Sequence, residues 1–94
     1  MRFTVIWDNE VETSFVRTWV AADSQMRATL TEVANWVDTN LSVGPESKGQ
    51  SRPDLGARIV AVPLLNSPAL VSVSYEVWTD DRLVHVIRLT FRNG

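Results

Sequence analysis

The chain has 94 residues with a formal net charge of −2, and 45% of its residues are hydrophobic, among them four Trp. This length and apolar content predict one folded domain, residues 1-94, with a modest core. The absence of Cys excludes disulfides and thiolate zinc sites, and a single His argues against a histidine-based metal site. We therefore expect no metal and no cofactor. The negative charge argues against binding driven mainly by nucleic-acid phosphates.

The sequence predicts neither a targeting segment nor a membrane span. Residues 1–7 are too short for a signal peptide and lack a cleavage pattern. No run approaches the ~20 consecutive apolar residues that a membrane helix needs. The expected location is therefore cytoplasmic, without a membrane partner.

A short strand and a helix are predicted at the start of the chain. Residues 2–7 alternate between apolar and polar side chains, which is typical of a strand with one buried face. Asp8 or Asn9 then caps a helix, and Asn9 with Glu12 three residues later resembles a capping box. The helix has one apolar stripe, formed by Val11, Phe15, Val16, Trp19 and Val20.

A second helix follows after a short break. It is capped by Asp23 or Ser24 and ends near Leu41. The short connection predicts an antiparallel helical hairpin. Its apolar stripe is Met26, Leu30, Val33, Ala34, Val37 and Leu41. Three tryptophans are expected in the core between helices and sheet, namely Trp7, Trp19 and Trp36.

The segment 42–56 contains three Gly and two Pro without an apolar period, and it is predicted to be a long loop. Residues 44–51 nearly match a phosphate-binding P-loop. Gln50 stands where that motif needs its Lys, and a helix rather than a strand precedes the segment, so we exclude this interpretation. A strand at 57–62 then ends before Pro63.

The last part of the chain, from Ala69 to Arg92, predicts a β-hairpin with two possible registers. A two-residue turn at Asp80-Asp81 pairs Thr79 with Arg82, whereas a three-residue loop at 80–82 pairs Thr79 with Leu83. The longer loop buries Ile87, Leu89 and Phe91 instead of Val84 and Val86. Because this choice is favoured by roughly 2–4 kcal/mol of apolar burial, we predict the longer loop.

The predicted register leaves a polar, mildly basic second sheet face. It would consist of Ser72, Ser74, Glu76, Arg88, Thr90 and Arg92. Trp78 lies on this face near the turn and either anchors a partner or packs under a flanking loop. His85 would lie on the apolar side near the hairpin tip, either as a hydrogen-bonded rim residue or as a general base. The fold prediction is α+β, in the order β-α-α-β-β-β. A helical hairpin packs on one face of a mostly antiparallel four-stranded sheet.

The order of elements and several short segments resemble the RelE/ParE toxin superfamily of toxin–antitoxin modules. The resemblance covers nearly the whole chain and implies a RelE-like fold with an open, concave sheet face. It is carried by Trp7-Asp8-Asn9-Glu10, by Leu41 with Pro45 and Gly49, by Arg58, by Ser74-Tyr75-Glu76-Val77, and by Val84-His85-Val86-Ile87-Arg88-Leu89.

The resemblance implies a toxin component, of the plasmid-stabilization type, that binds a macromolecular target and is neutralised by an antitoxin. In the RelE branch the open face cuts ribosome-bound mRNA through basic residues. Arg58 and Arg92 match two of those positions and are the catalytic candidates, while Ser72 replaces a third. The ParE branch inhibits DNA gyrase, and Arg88 with Leu89 resembles that branch.

Three functions remain open at this point. A toxin-like protein would contact gyrase, the ribosome or another target through Arg58, Ser72, Arg88 and Arg92. A non-catalytic relative would bind a protein partner through Trp78 together with Lys48 and Arg52. An mRNA endonuclease would require a base that the sequence does not identify, so whether the chain is an enzyme stays undecided.

Overall fold

A computed structural model describes residues 2–65 and 67–92. These residues form two α-helices, five strands and two short 3-10 helices at Pro45–Ser47 and Pro53–Leu55. The elements are β1 (Thr4–Trp7), α1 (Asn9–Ala21), α2 (Ser24–Asn40), β2 (Gln50–Arg52), β3 (Ala57–Val62), β4 (Leu70–Trp78) and β5 (Leu83–Arg92).

The strands form one sheet in the order β1-β5-β4-β3-β2. Strand β1 runs parallel to β5, and all other neighbours are antiparallel. The α+β class with two helices and a mostly antiparallel sheet is therefore confirmed. The strand number is corrected from four to five, because Gln50–Arg52, within the predicted loop, pairs with β3 at the sheet edge.

Both helices begin at an aspartate. Asp8 caps α1, and its carboxylate accepts a hydrogen bond from the Glu10 N–H at 3.2 Å. The predicted capping box is wrong, because Asn9 is already the first residue of the helix. Asp23 caps α2 by accepting from the Met26 N–H at 2.8 Å, which decides between the two alternatives in favour of Asp23.

The core lies between α2 and one face of the sheet. Helix α2 contributes Leu30, Val33 and Val37, all fully buried, whereas no residue of α1 is fully buried. The predicted core tryptophans are only partly buried: Trp7 and Trp36 pack at the margin of the core. The third, Trp19, forms a cation–π contact instead: the Arg27 guanidinium lies over its ring, 5.6 Å from the ring centre.

A β-bulge at Ile87 sets the register of the hairpin. Val73 pairs with Leu89, but Tyr75 pairs with Val86, so Ile87 has no residue opposite it on β4. The connection is four residues long, 79–82, with Arg82 at φ 53°. The predicted three-residue loop is wrong, since Trp78 pairs with Leu83. Because of the bulge, each predicted register holds for one half of the strand. The register of the two-residue turn holds from Leu83 to Val86, and the register of the three-residue loop holds from Arg88 to Arg92. Val84 and Val86 are buried near the turn, and Leu89 and Phe91 face the same side farther along.

Candidate functional site

The sheet face opposite the core carries most of the candidate residues. Alternate residues of a strand point to opposite faces, and the core takes Val71, Val73 and Tyr75 of β4. The other face therefore includes apolar residues such as Leu70 and Leu83, and its polar and aromatic residues are Ser72, Ser74, Glu76 and Trp78 on β4 and His85, Arg88, Thr90 and Arg92 on β5. We call these eight residues the open face. Arg88, Thr90 and Arg92 are exposed, and Trp78 is 43% exposed.

The histidine lies at the centre of a polar cluster on the open face. Its Nδ1 is 3.0 Å from Oε1 of Glu76, and its Nε2 is 3.4 Å from Oδ1 of Asp8. The Trp78 ring centre is 5.5 Å from the imidazole. The prediction that His85 lies on the apolar side is wrong, because the bulge at Ile87 reverses the face of every residue between it and the turn.

This cluster has the composition of an acid–base site. Glu76 holds Nδ1 and orients the imidazole, whereas Asp8 lies against Nε2, so proton transfer to a bound molecule would require Asp8 to move away from that nitrogen. The His85 side chain is 20% exposed, which keeps it within reach of a bound molecule. Asp8 has two roles, because one of its oxygens faces His85 while the other caps α1.

Two arginines on the open face have free guanidinium groups. Arg88 lies opposite Ser74 and Arg92 lies opposite Leu70. Neither forms an ion pair with any residue in the described ranges 2–65 and 67–92. A guanidinium group with all its donors available can bind a phosphate or a carboxylate through two parallel hydrogen bonds.

The third predicted arginine lies elsewhere. Arg58 pairs with Tyr75, whose side chain is in the core, so its placement on the open face beside Arg88 and Arg92 is wrong. Its Nε donates to the Lys48 carbonyl at 2.8 Å and its Nη2 to the Gly49 carbonyl at 3.3 Å. Arg58 therefore holds the segment before β2 against β3.

The same segment is anchored by a buried tyrosine. The Tyr75 hydroxyl lies 2.8 Å from the Pro45 carbonyl oxygen and 2.9 Å from that of Lys48. Burial raises the pKa of this phenol above its usual value. Gly49 has φ 64°, and a Cβ there would meet the Ile59 carbonyl oxygen at 2.2 Å. The segment is thus closely packed against β3.

The predicted partner-binding residues lie on separate elements. Trp78 ends β4 on the open face. The Lys48 ammonium donates to the Val43 carbonyl within its own loop. Arg52 lies on the edge strand β2 and pairs with Asp54 at 3.0 Å, a contact that lowers the pKa of that carboxyl.

Sequence reasoning missed the contribution of Asp8 and the position of His85. No local sequence pattern predicts the bulge at Ile87. Asp8 comes close to His85 because β1 pairs with β5, which is far away along the chain. Within the described residues, no three His, Asp or Glu side chains are arranged to hold a metal ion. None of the helices in the described part of the chain is long and apolar enough to cross a membrane.

Two solved structures are similar to this chain. One is a double mutant of the E. coli toxin RelE in the free state, with a TM-score of 0.55 and 16% identity. The other is this mutant in complex with a peptide of the antitoxin RelBc, with a TM-score of 0.47 and 19% identity. Both comparisons cover 95% of this chain and 82% of the other. No protein-family model matches the chain, and no curated protein matches it in sequence.

The first of these structures identifies the fold class. At a TM-score of 0.55 over nearly the whole chain, the protein has the fold of the RelE toxin. The fold implied by the sequence resemblance is thereby confirmed. At 16% identity the likeness concerns the fold alone, and the activity is argued below from this chain's own residues.

Proposed function

We propose that this chain is the toxin-like component of a toxin–antitoxin module, binding a macromolecular target through its open face and neutralised by an antitoxin. The observation that supports this most is the uncovered row of Arg88, Thr90 and Arg92 on a sheet with the RelE toxin fold. Function in a shared fold depends on such site residues rather than on the fold itself.

The chemistry of the open face suits a target that carries phosphate or carboxylate groups. Arg88 and Arg92 are separated by four strand positions, which places their Cα atoms about 13 Å apart. Ser72, Ser74 and Thr90 add hydroxyl donors and acceptors between them. At the other end Trp78 offers an indole ring on which a base or an apolar side chain can stack.

Induced expression in a bacterial host tests the proposal. The wild-type chain is expected to arrest growth, and the double variant Arg88→Ala/Arg92→Ala is expected to relieve the arrest. The matched control is Arg17→Ala, which removes an exposed arginine of α1 and should leave the arrest intact. Absence of arrest on verified soluble expression of the wild-type chain would contradict the proposal.

The resemblance implies two targets that separate assays distinguish. Inhibition of purified DNA gyrase in a supercoiling assay would assign the ParE-type target. Co-sedimentation with translating ribosomes would assign the RelE-type target. In either assay, the double arginine variant is expected to lose the effect because the phosphate-binding cations are gone.

A second candidate function, ribosome-dependent mRNA cleavage, is favoured by the pair formed by Glu76 and His85. Such a cleavage needs a base that removes the 2′-hydroxyl proton while the 2′-oxygen attacks phosphorus. It also needs an acid that protonates the departing 5′-oxygen. The imidazole, oriented by Glu76 at 3.0 Å, can exchange a proton through Nε2 once Asp8 gives way to substrate. Arg88 would stabilise the phosphate's developing charge.

Cleavage of a translated mRNA measures this second function. His85→Gln is expected to abolish cleavage, since glutamine keeps much of the size but cannot transfer the proton. Glu76→Gln is expected to reduce the rate and to shift its pH profile. Cleavage that persists in His85→Gln would exclude this assignment.

The third candidate, a non-catalytic relative that binds a protein partner, is favoured by the exposed Trp78 on the open face. In that case Trp78→Ala should abolish recovery of a partner in a pull-down, while the chain arrests no growth. Recovery of ribosomes instead of a protein partner would favour the two functions above.

A further inference from the structure

The imidazole of His85 lies between two carboxylates, one on each side of the ring. Oε1 of Glu76 is 3.0 Å from Nδ1, and Oδ1 of Asp8 is 3.4 Å from Nε2. Strand β5 pairs with β4 at Glu76 and with β1 at Ile6, two residues before Asp8. Strand pairing on both sides of β5 therefore brings the three side chains together.

This arrangement matches the charged form of the ring. A neutral imidazole has one N–H donor and one unprotonated nitrogen, whereas the imidazolium has two donors. An ionised carboxylate accepts hydrogen bonds but has none to donate. A neutral ring can therefore donate to Glu76 or to Asp8 but not to both, and its unprotonated nitrogen would face a carboxylate oxygen with no hydrogen between them. Two carboxylates on the two nitrogens require two protons on the ring.

Asp8 is the carboxylate that a neutral ring would release. Its contact with the imidazole is the longer of the two, and its side chain is the more exposed, 41% against 34% for Glu76. Asp8 also has a second partner, because its Oδ2 accepts a hydrogen bond from the Glu10 N–H at the start of α1. Water and this cap can satisfy Asp8 without the imidazole, so the remaining ring proton is expected on Nδ1, next to Glu76.

No arginine or lysine competes with the imidazole for these carboxylates. Among residues 2–65 and 67–92, neither Asp8 nor Glu76 forms an ion pair with any side chain except that of His85. The other charged residues closest to the cluster along the chain form no ion pair with it, namely Glu10, Glu12, Asp80, Asp81, Arg82 and Arg88. Within the described part of the chain, the ring therefore supplies the positive charge that these two carboxylates share.

We propose that His85 is a proton-dependent switch between the start of α1 and the open face. The imidazolium holds both Asp8 and Glu76, and it thereby ties the junction of β1 and α1 to the centre of the sheet. Loss of one proton releases Asp8, exposes Nε2 to solvent and changes the summed charge of the three groups from −1 to −2. An imidazole ordinarily changes its charge between about pH 5 and 8. The proposal concerns contacts within the chain and does not depend on the proposed function.

Nitrogen NMR of the imidazole tests the proposal directly, because the chain has a single His. The measurement uses the whole chain without a histidine tag. At about pH 5.5 both ring nitrogens are expected to carry a proton, and at about pH 8.5 only Nδ1 is expected to carry one. A ring that is neutral at the lower pH, or a neutral ring protonated at Nε2, would overturn the proposal.

Two variants that each remove one carboxylate show whether Asp8 is the group that the ring holds. Asp8→Asn keeps a good N-cap residue, and its amide can donate to an unprotonated Nε2. The ring should therefore lose its proton at a lower pH in this variant than in the wild type. Asp38→Asn removes an exposed carboxylate of α2 and should leave the titration of the ring unchanged. Identical titration of the two variants would exclude the role of Asp8.

Urea unfolding at the same two pH values shows whether the switch acts on the fold. The contacts of the charged ring exist only in the folded chain, so the wild type should lose resistance to urea relative to His85→Gln as the pH rises. This loss should be smaller when the same comparison is made in the Asp8→Asn background. An equal loss in both backgrounds would overturn the proposal. Growth arrest by a chain whose imidazole fails these tests would leave the proposed function standing and reject this inference alone.

Discussion

The two halves of β5 have different surroundings. In the half near the turn, β1 and β4 flank the strand, and Val84 and Val86 have no solvent exposure. In the half beyond Ile87, β4 is the only strand of residues 2–65 and 67–92 that flanks β5, and Leu89 and Phe91 remain partly exposed beside a groove between β5 and the helices. The first half is thus part of the core, and the second half leaves part of its side-chain surface exposed.

The bulge at Ile87 lies at the boundary between these halves. It lets both apolar sets of the strand face the core while His85, Arg88 and Arg92 share the open face. Bulges commonly redirect side chains near functional sites. A single unpaired residue thus separates a fully buried part of one strand from a partly exposed part.

The largest expected change in the free energy of unfolding comes from shortening one apolar side chain in each half of β5. Val86→Ala should lower the free energy of unfolding by about 2 kcal/mol, because the valine is completely buried. Leu89→Ala should cost about 1 kcal/mol although it removes more carbon atoms, since Leu89 is only partly buried. Urea unfolding with an unchanged m-value measures both. If Leu89→Ala lost more unfolding free energy than Val86→Ala, the division of β5 into a fully buried and a partly exposed half would be contradicted.

The next effect concerns Tyr75, which lies opposite Val86 at the boundary. Tyr75→Phe should cost about 1–2 kcal/mol, because the Pro45 and Lys48 carbonyls lose a buried donor. The difference in unfolding free energy between the wild type and Tyr75→Phe should depend on pH. Burial raises the pKa of the phenol in the folded state, so its stabilising contribution is full below about pH 10 and declines as the pH rises further. This decline should be absent in Tyr75→Phe, and an identical alkaline loss in both proteins would contradict the assignment.

The smallest effect is expected for deletion of Ile87. Removing this residue straightens the ladder while Val86 still pairs with Tyr75 and Arg88 with Ser74, so every other side chain keeps its face. The free energy of unfolding should change by no more than about 1 kcal/mol. Deletion of His85 is the matched control, because it moves Val84 to the open face and should cost more. If deletion of Ile87 were the more damaging of the two, the bulge would not be the boundary proposed.

Much of the fold could be predicted from the sequence. The two apolar helical stripes, the alternation of β4 and the order of elements are local patterns, and they gave the α+β class and the polar face. Ser72, Ser74, Glu76, Arg88, Thr90 and Arg92 lie on the predicted face, because β4 alternates regularly and the distal half of β5 keeps the expected pairing. Their role as a target-binding site stays a prediction.

Three features could not be predicted because they depend on tertiary contacts. The alternation of β5 predicts a single register for the whole strand, whereas the bulge gives each half its own register and moves His85 to the open face. The family resemblance implies a target-binding role for Arg58, but its register opposite Tyr75 directs it to the Lys48 and Gly49 carbonyls. The strand Gln50–Arg52 has no apolar alternation and forms only because β3 offers an edge.

Amide hydrogen exchange along β5 tests the central claim most directly. Alternate amides between Arg88 and Arg92 are expected to exchange rapidly, because no strand among the described residues accepts their hydrogen bonds, while the amides of Val84 and Val86 are expected to exchange slowly. Uniform protection along the whole of β5 would show that the edge is already covered and would contradict the account.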